Sequence, residues 1–318
     1  MNHPPHPTIA GIDVSKATLD LAIPAHAISQ KIDYHEQGLT RLIRTCQKRG
    51  VTMVILEATG GLERPLLRHL AAQQIDFHVA NPRQARDFAK ALGKLAKTDK
   101  IDAHILAEYG QRIQPPPHQL PEKNQQKLLD LAARYQQLIK MRTAELNRLS
   151  IIEQEAVTDL IKAHLVFLRD QIETVEEEMN QIITQDDAMI RQAQALESAP
   201  GIGKTTARRL IAQLPELGKR SPKQIARLVG LAPVNRDSGS LRGKRTTGGG
   251  RACVRHMLYM PTVVAIQHNP PIKEIYQRLI DQGKPKMIAL VACMRKLLIY
   301  LNAMIREDKT WTEFIKLT

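Results

Sequence analysis

Residues 8–23, Thr8-Ile9-Ala10-Gly11-Ile12-Asp13-Val14-Ser15-Lys16-Ala17-Thr18-Leu19-Asp20-Leu21-Ala22-Ile23, set the reading of the fold. Thr8–Val14 predicts a strand, and Ala17–Ile23 a second strand able to pair with it as a hairpin. Outward from this pair, strands and helices alternate. Gln37–Arg49 predicts a helix, and Thr52–Leu56 is a continuous apolar run suited to a buried strand. Glu63–Gln73 predicts a helix, Asp76–Ala80 a short strand, and Pro82–Leu92 another helix. Thr98–Tyr109 predicts a helix with Thr98 as its N-cap. Such alternation points to a layered α/β domain over residues 8–114, preceded by a Pro/His tail at 1–7 expected to be disordered.

Pro115, Pro116, Pro117 and Pro121 break the pattern and predict a linker at 115–121. Residues 122–190 then read as helical. Leu165, Leu168, Ile172, Val175, Met179 and Ile182 recur at 3-4-3-4-3 spacing, which is a heptad seam. Two uses of that seam stay open: a helical hairpin packed within one chain, or a dimerising coiled coil. Residues 191–318 read as helices with Gly-rich interruptions, and a helix is expected to open at Arg251 and run through about Met260.

The net charge is +14 with a sequence pI near 9.8, which favours a polyanionic partner, nucleic acid first. The charge is segregated: residues 201–260 hold 13 Lys/Arg against 2 Asp/Glu. Aromatics make up 3%, so stacking on bases is not the main device. Cys46, Cys253 and Cys293 lack metal-ligand spacing and read as reduced thiols of a cytoplasmic protein. No 18-residue apolar run is present, and no membrane association is expected.

Four carboxylates draw the chemistry. Asp13 and Glu57 terminate predicted strands, where ligands of α/β sheets gather. Asp99 and Asp102 lie three apart on one predicted helix face. Taken alone, Asp99 and Asp102 are also compatible with an ordinary exposed helix. Four acids on one scaffold become favourable when divalent cations lie between them, and such ions serve phosphodiester chemistry.

Gly-Ile-Asp-Val-Ser-Lys at 11–16, Leu-Glu-Ala-Thr-Gly-Gly at 56–61 and Lys-Thr-Asp-Lys-Ile-Asp-Ala-His-Ile-Leu-Ala at 97–107, in this order, resemble the DEDD transposases of the insertion-sequence-110 family and the related Piv-type DNA invertases. The resemblance implies a RuvC-like, RNase H-like first domain in which Asp13, Glu57, Asp99 and Asp102 ligate Mg²⁺ or Mn²⁺. It covers a helical middle, where the residues themselves leave a coiled coil open, and a basic, mainly helical C-terminal transposase domain. It also implies double-stranded donor and target DNA, a noncoding bridge RNA, a homodimer assembling to a tetramer, and a place in the bacterial cytoplasm at the nucleoid.

Pro200-Gly201-Ile202-Gly203-Lys204-Thr205 is not a P-loop, because Ser198 stands where the leading glycine is required. It reads as a helix-hairpin-helix turn that binds phosphate through Gly201, Gly203 and the following helix N-terminus, with Lys204, Arg208 and Arg209 adding charge. The family carries a Ser-Gly pair in the loop 235–245, and by position its serine nucleophile is Ser238; Ser240 is the rival, since it also abuts Gly239. A serine ester would conserve the phosphodiester bond energy for rejoining. Arg236, Arg242, Lys244 and Arg245 are expected to bind nucleic acid, and the three arginines to stabilise phosphoryl charge. No His or Lys base adjoins Ser238, so this reading requires the acids to act on the same phosphate. Arg251, Arg255 and Tyr259 share a predicted helix face; the arginines are expected to contact phosphate and Tyr259 to pack, since a tyrosine recombinase draws its residues from scattered segments. Two other readings remain: a metal-dependent resolvase or nuclease with water as nucleophile, and a non-catalytic scaffold.

Overall fold

The computed structural model describes residues 7–94, 98–235, 238, 243 and 245–316. It divides into two compact units, 1–121 and 122–318. In the first, β1 (Thr8–Val14), β2 (Thr18–Ile23) and β3 (Ile28–Asp33) precede α1 (Glu36–Lys48), β4 (Val51–Glu57), α2 (Arg64–Ala72), β5 (Asp76–Ala80), α3 (Pro82–Ala91) and α4 (Asp99–Ile113). The sheet order is β3-β2-β1-β4-β5, antiparallel across β3, β2 and β1 and parallel across β1, β4 and β5.

Strand alternation decides what each face carries. Ala10, Ile12 and Val14 of β1, with Val54 and Leu56 of β4, pack with Leu42 of α1 and Leu70 of α2. Ile9 and Ile55 point the other way and pack with Ala85 of α3 and with Leu106 and Tyr109 of α4. Asp13 and Glu57 have the parity of Ile9 and Ile55, so they belong to the face that α4 covers.

Two glycines let α4 lie close to that face. A Cβ on Gly11 would stand 2.0 Å from the Ala103 carbonyl oxygen and 2.4 Å from the Ala107 nitrogen. A Cβ on Gly110 would meet the Ile55 side chain at 2.5 Å. Thr98 caps α4, its hydroxyl accepting from the Ile101 N–H at 3.3 Å. The Pro-rich segment after α4 has no regular structure and lies along β5: His118 N–H donates to the Phe77 carbonyl at 2.7 Å, and the His118 and His78 rings stack 4.3 Å apart.

The second unit is helical: α5 (Lys123–Leu149), α6 (Glu155–Thr184), α7 (Asp187–Glu197), α8 (Lys204–Gln213), α9 (Pro222–Val229), α10 (Ala252–Met257), α11 (Tyr259–His268), α12 (Pro270–Asp281), α13 (Lys286–Glu307) and α14 (Trp311–Ile315). The regions 122–190 and 191–318 share one hydrophobic core rather than forming separate ones. Leu168, Ile172, Val175 and Met179 of the heptad seam are buried with Leu128, Ala132, Tyr135 and Leu138 of α5, so the seam serves an intrachain hairpin. Ile183 rather than Ile182 takes the next inner position, because a straight helix at 3.6 residues per turn drifts off a seven-residue repeat. Helix α13 is long and apolar enough to span a bilayer, but Leu297, Leu298 and Leu301 are fully buried in this core. The helix expected through Met260 breaks at Leu258, three residues before Pro261, which lacks a backbone donor.

Candidate catalytic site

The register with Ile12 opposite Leu56 puts Asp13 and Glu57 one step further on, at the carboxyl ends of adjacent parallel strands. Asp13 also pairs directly with Asp20 of β2, and Asp20 with Lys31 of β3. Paired residues share a face, so Asp13, Asp20 and Lys31 form a row across the sheet. Helix α4 brings Asp99 and Asp102 to this face in its first turn. The Lys31 Nζ lies 3.9 Å from Asp20 and 4.0 Å from Asp99.

The electrostatics of this face follow from burial and from neighbouring charge. Burial, then the charges of Asp99, Asp102, Glu57 and Asp20, push the Asp13 carboxyl up to about 6. Burial also raises Asp20, with Lys31 opposing and Asp99 adding to the shift. The four predicted acids thus lie toward one face of the sheet, but among the described residues no three Asp, Glu, His or Cys side chains stand close enough together to hold a metal ion as they are. Sequence reasoning missed Asp20 and Lys31. The signal was present: Asp20 interrupts an otherwise apolar strand with the parity that faces the acids.

Glu63 is a second omission. Its carboxylate accepts from the Thr59 hydroxyl at 2.7 Å, the Gly61 N–H at 2.9 Å and the Thr59 N–H at 3.2 Å. Burial opposes its ionisation, but these hydrogen bonds overcome that and hold it below the usual carboxylate range. It fixes the loop that follows Glu57, where Gly60 and Gly61 take positive φ of 79° and 116°.

In the second unit Ser238 is exposed. Arg236, Arg242, Lys244, Gly239 and the rival Ser240 lie outside the described residues. The neck of the loop is held by the Val234 N–H donating to the Thr246 carbonyl at 2.8 Å. Below it, Arg255 Nη1 donates to the Gly249 carbonyl at 2.7 Å and the Val229 carbonyl at 3.0 Å. Arg251 donates twice to Glu216, at 2.6 Å each, and to the Gln213 carbonyl at 3.0 Å. Both guanidiniums were expected to contact phosphate; the structure spends them on protein acceptors instead, as braces of the loop. Arg245 and Lys204 are exposed, and Arg208 is half-buried. Arg209, expected to add charge to this turn, is part-buried with its guanidinium 5.1 Å from the Tyr135 ring. Gly201 has φ of +103°, and a Cβ there would stand 2.6 Å from the Pro261 carbonyl oxygen. Gly203 is the N-cap of α8 and supplies no side-chain acceptor to its first amides.

Comparison with known proteins assigns this arrangement to a class. Residues 10–152 match a family described as transposase, of the DEDD type, and residues 193–277 match the transposase IS116/IS110/IS902 family. The chain belongs to the IS110 family of transposases, and it is a DNA recombinase enzyme. It is 31% identical to the pilin gene-inverting protein of Moraxella bovis, over 97% of this chain and 98% of that protein. The pilin gene-inverting protein of Moraxella lacunata matches to the same extent. An insertion element IS116 protein of Streptomyces clavuligerus is 29% identical over 46% of this chain and 37% of its own length.

Proposed function

We propose that the chain cuts and rejoins DNA through a serine ester, with the first unit as an RNase H-like, metal-dependent half of the reaction. The observation that carries this reading is the placement of Asp13, Asp20, Glu57, Asp99 and Asp102 toward one face of the sheet, where burial first and the neighbouring acids second raise the Asp13 carboxyl. Three antiparallel strands continued by two parallel ones support the RNase H-like assignment. The donors are all carboxylate oxygens, a set that suits Mg²⁺ or Mn²⁺. Their mutual repulsion is the cost that a divalent cation offsets. Asp13, Glu57, Asp99 and Asp102 would hold it, and the bound ion would supply Lewis-acid stabilisation of a phosphodiester. Gly11, Gly110 and Glu63 keep the elements that carry these acids in place.

Ser238 Oγ attacks the phosphorus of one strand. Its proton passes to solvent as the Oγ–P bond forms, and the departing DNA oxygen takes a proton from solvent as its bond to phosphorus breaks. A DNA hydroxyl then attacks the same phosphorus and releases the serine. The α7–α8 hairpin offers the first-turn amides of α8, which no N-cap side chain engages, and Lys204 to the DNA backbone, in the manner of a helix-hairpin-helix. Exposed Met141, Leu146, Ile151, Leu160 and Phe167 on the distal part of the α5–α6 hairpin support self-association toward a dimer and tetramer. Guidance by a bridge RNA and action in the cytoplasm on nucleoid DNA complete the proposal. Site-specific inversion is the second reading, favoured by the full-length match to two pilin gene-inverting proteins.

The test is a denaturing gel of labelled plasmid DNA carrying this gene and its flanks, incubated with protein and Mg²⁺. Wild type is expected to leave DNA covalently on protein, and Ser238→Ala to leave none. Cut DNA without adduct in the wild type would make water the nucleophile and overturn the serine step.

A further inference from the structure

A cleft of about 980 Å³ opens in the second unit beside the neck of the serine loop, and it has two kinds of wall. One is apolar, built by Ile275 and Leu279 of α12 and by Ile288 and Val291 of α13. The other is cationic: Arg245 of the loop, Arg278 of α12, and Arg295 and Lys296 of α13, against Glu274 as the single acid of the lining. Among the described residues the buried Arg295 Nε–H has no acceptor. Tyr300, also in the lining, holds the Lys296 ammonium 4.5 Å from its ring centre.

Few ligands match both walls. Inorganic phosphate would leave the apolar wall wet, and an ordinary apolar peptide would leave four cations facing it. A nucleotide joins an anionic phosphate to a flat base, and a base removed from its stack needs apolar surroundings. The volume lies within the range of sites for small ligands, and is ample for one nucleotide with its neighbouring phosphates. Position favours the same occupant, because Arg245 lines the cleft and belongs to the loop that carries Ser238. Thr246, which closes the neck of that loop, is in the lining too.

We propose that this cleft receives one nucleotide turned out of the DNA strand, its base against Ile275, Ile288 and Val291 and its flanking phosphates on Arg278 and Arg295. The inference rests on the serine loop being where the strand is cut. A splayed nucleotide there would hold the strand still on one side of the attacked phosphate and keep the released end from drifting before rejoining. No sequence need be read, since every base has an apolar face.

The experiment uses full-length Ser238→Ala protein, in which no adduct can form, so that its outcome is independent of the adduct assay. Binding is read by fluorescence anisotropy with labelled oligo(dT) about 20 nucleotides long, with an abasic strand of the same length, and with oligo(U). Oligo(dT) is expected to bind about tenfold more tightly than the abasic strand. Ile288→Trp fills the cleft from a side chain that is 58% exposed, so the fold tolerates it. In that variant the advantage of oligo(dT) over the abasic strand should vanish. Arg278→Ala with Arg295→Ala should weaken both strands and flatten the salt dependence. A base preference that survives Ile288→Trp overturns the proposal, and so does equal binding of oligo(dT) and abasic strand in the parent protein. In the latter case the cleft is left to an acidic protein segment. Tighter binding of oligo(U) that Ile288→Trp abolishes assigns the cleft to RNA and overturns the DNA assignment.

Discussion

In the first unit each carboxylate is carried by a strand or by the first turn of a helix, whereas in the second unit Ser238 lies between α9 and α10 in no strand or helix of its own, in a segment whose neck is closed by Val234 and Thr246. The contrast follows from charge. Five carboxylates repel one another, and a flexible segment would relieve that by moving apart. They stay together because sheet pairing, the Gly11 contact and the Thr98 cap fix the backbone beneath them. A serine hydroxyl has no such conflict. Its loop is held by hydrogen bonds from Arg255, by the Arg251–Glu216 pair and by the bridge between Val234 and Thr246. Rigid elements therefore hold the groups that resist assembly, and a loop carries the serine proposed to reach a phosphorus.

The sharpest way to break that contrast is to move the rigid half. In Gly11→Ala the new Cβ would overlap backbone atoms of α4, and no rotamer change can relieve a clash with a carbonyl oxygen. The helix must shift, taking Asp99 and Asp102 with it. We expect DNA cleavage to fall about 100-fold or more, since displacements near 1 Å are costly in catalysis. Overpacking should cost about 1–3 kcal/mol of stability, read by urea denaturation. Cleavage at the wild-type rate would mean that the α4–β1 approach is not what positions the acids.

Arg251→Ala probes the loop side and should have a smaller effect. Glu216 would lose two charged hydrogen bonds, for a cost of about 2 kcal/mol after allowing for the pair's partial exposure. Burial alone would raise Glu216, yet Arg251 overcomes it and holds the carboxyl below its ordinary value of 4.5. The pair's contribution is thus present above about pH 4.5 and lost as pH falls through the depressed value. The gap between wild type and variant should close in acid. Unchanged stability with a smaller salt slope in DNA binding would instead restore Arg251 as a phosphate contact.

Much of the first unit was legible because its signals are local. Thr8–Val14 and Asp76–Ala80 form the strands their apolar runs predict, and Thr98 caps the helix it was expected to cap. β3 was not foreseen. It is an edge strand with alternating exposure over Ile28–Asp33 and no buried run to mark it. Asp20 was passed over because, in an isolated strand, a polar residue among apolar ones reads as a solvent face; only the cover of α4 makes that face a site. Arg251 was misread for a different reason. Its partner Glu216 is 35 residues away in the chain, and no spacing rule links them.

The smallest expected effect concerns Asp13 itself and tests whether the rigid half is strained by design. Its folded value of about 6 lies above the ordinary 3.8, so the folded state holds the proton more tightly than the unfolded state. Ionisation therefore costs stability: the penalty is absent below about pH 3.8 and complete above about 6. At full strength such a shift stands for about 3 kcal/mol, which solvent screening at this half-exposed carboxyl cuts to about 1. Asp13→Asn removes the charge at constant shape. Without divalent cations it should raise the Tm at pH 8 by roughly 2–4 °C and leave it unchanged near pH 4, as followed by circular dichroism. Millimolar Mg²⁺ should reverse the order, since the wild type gains stability by binding the ion and the variant has lost a ligand for it. A variant that is less stable than wild type at pH 8 in the absence of divalent cations would mean that the carboxylates are not in conflict, and the case for a cation among them would lose its electrostatic ground.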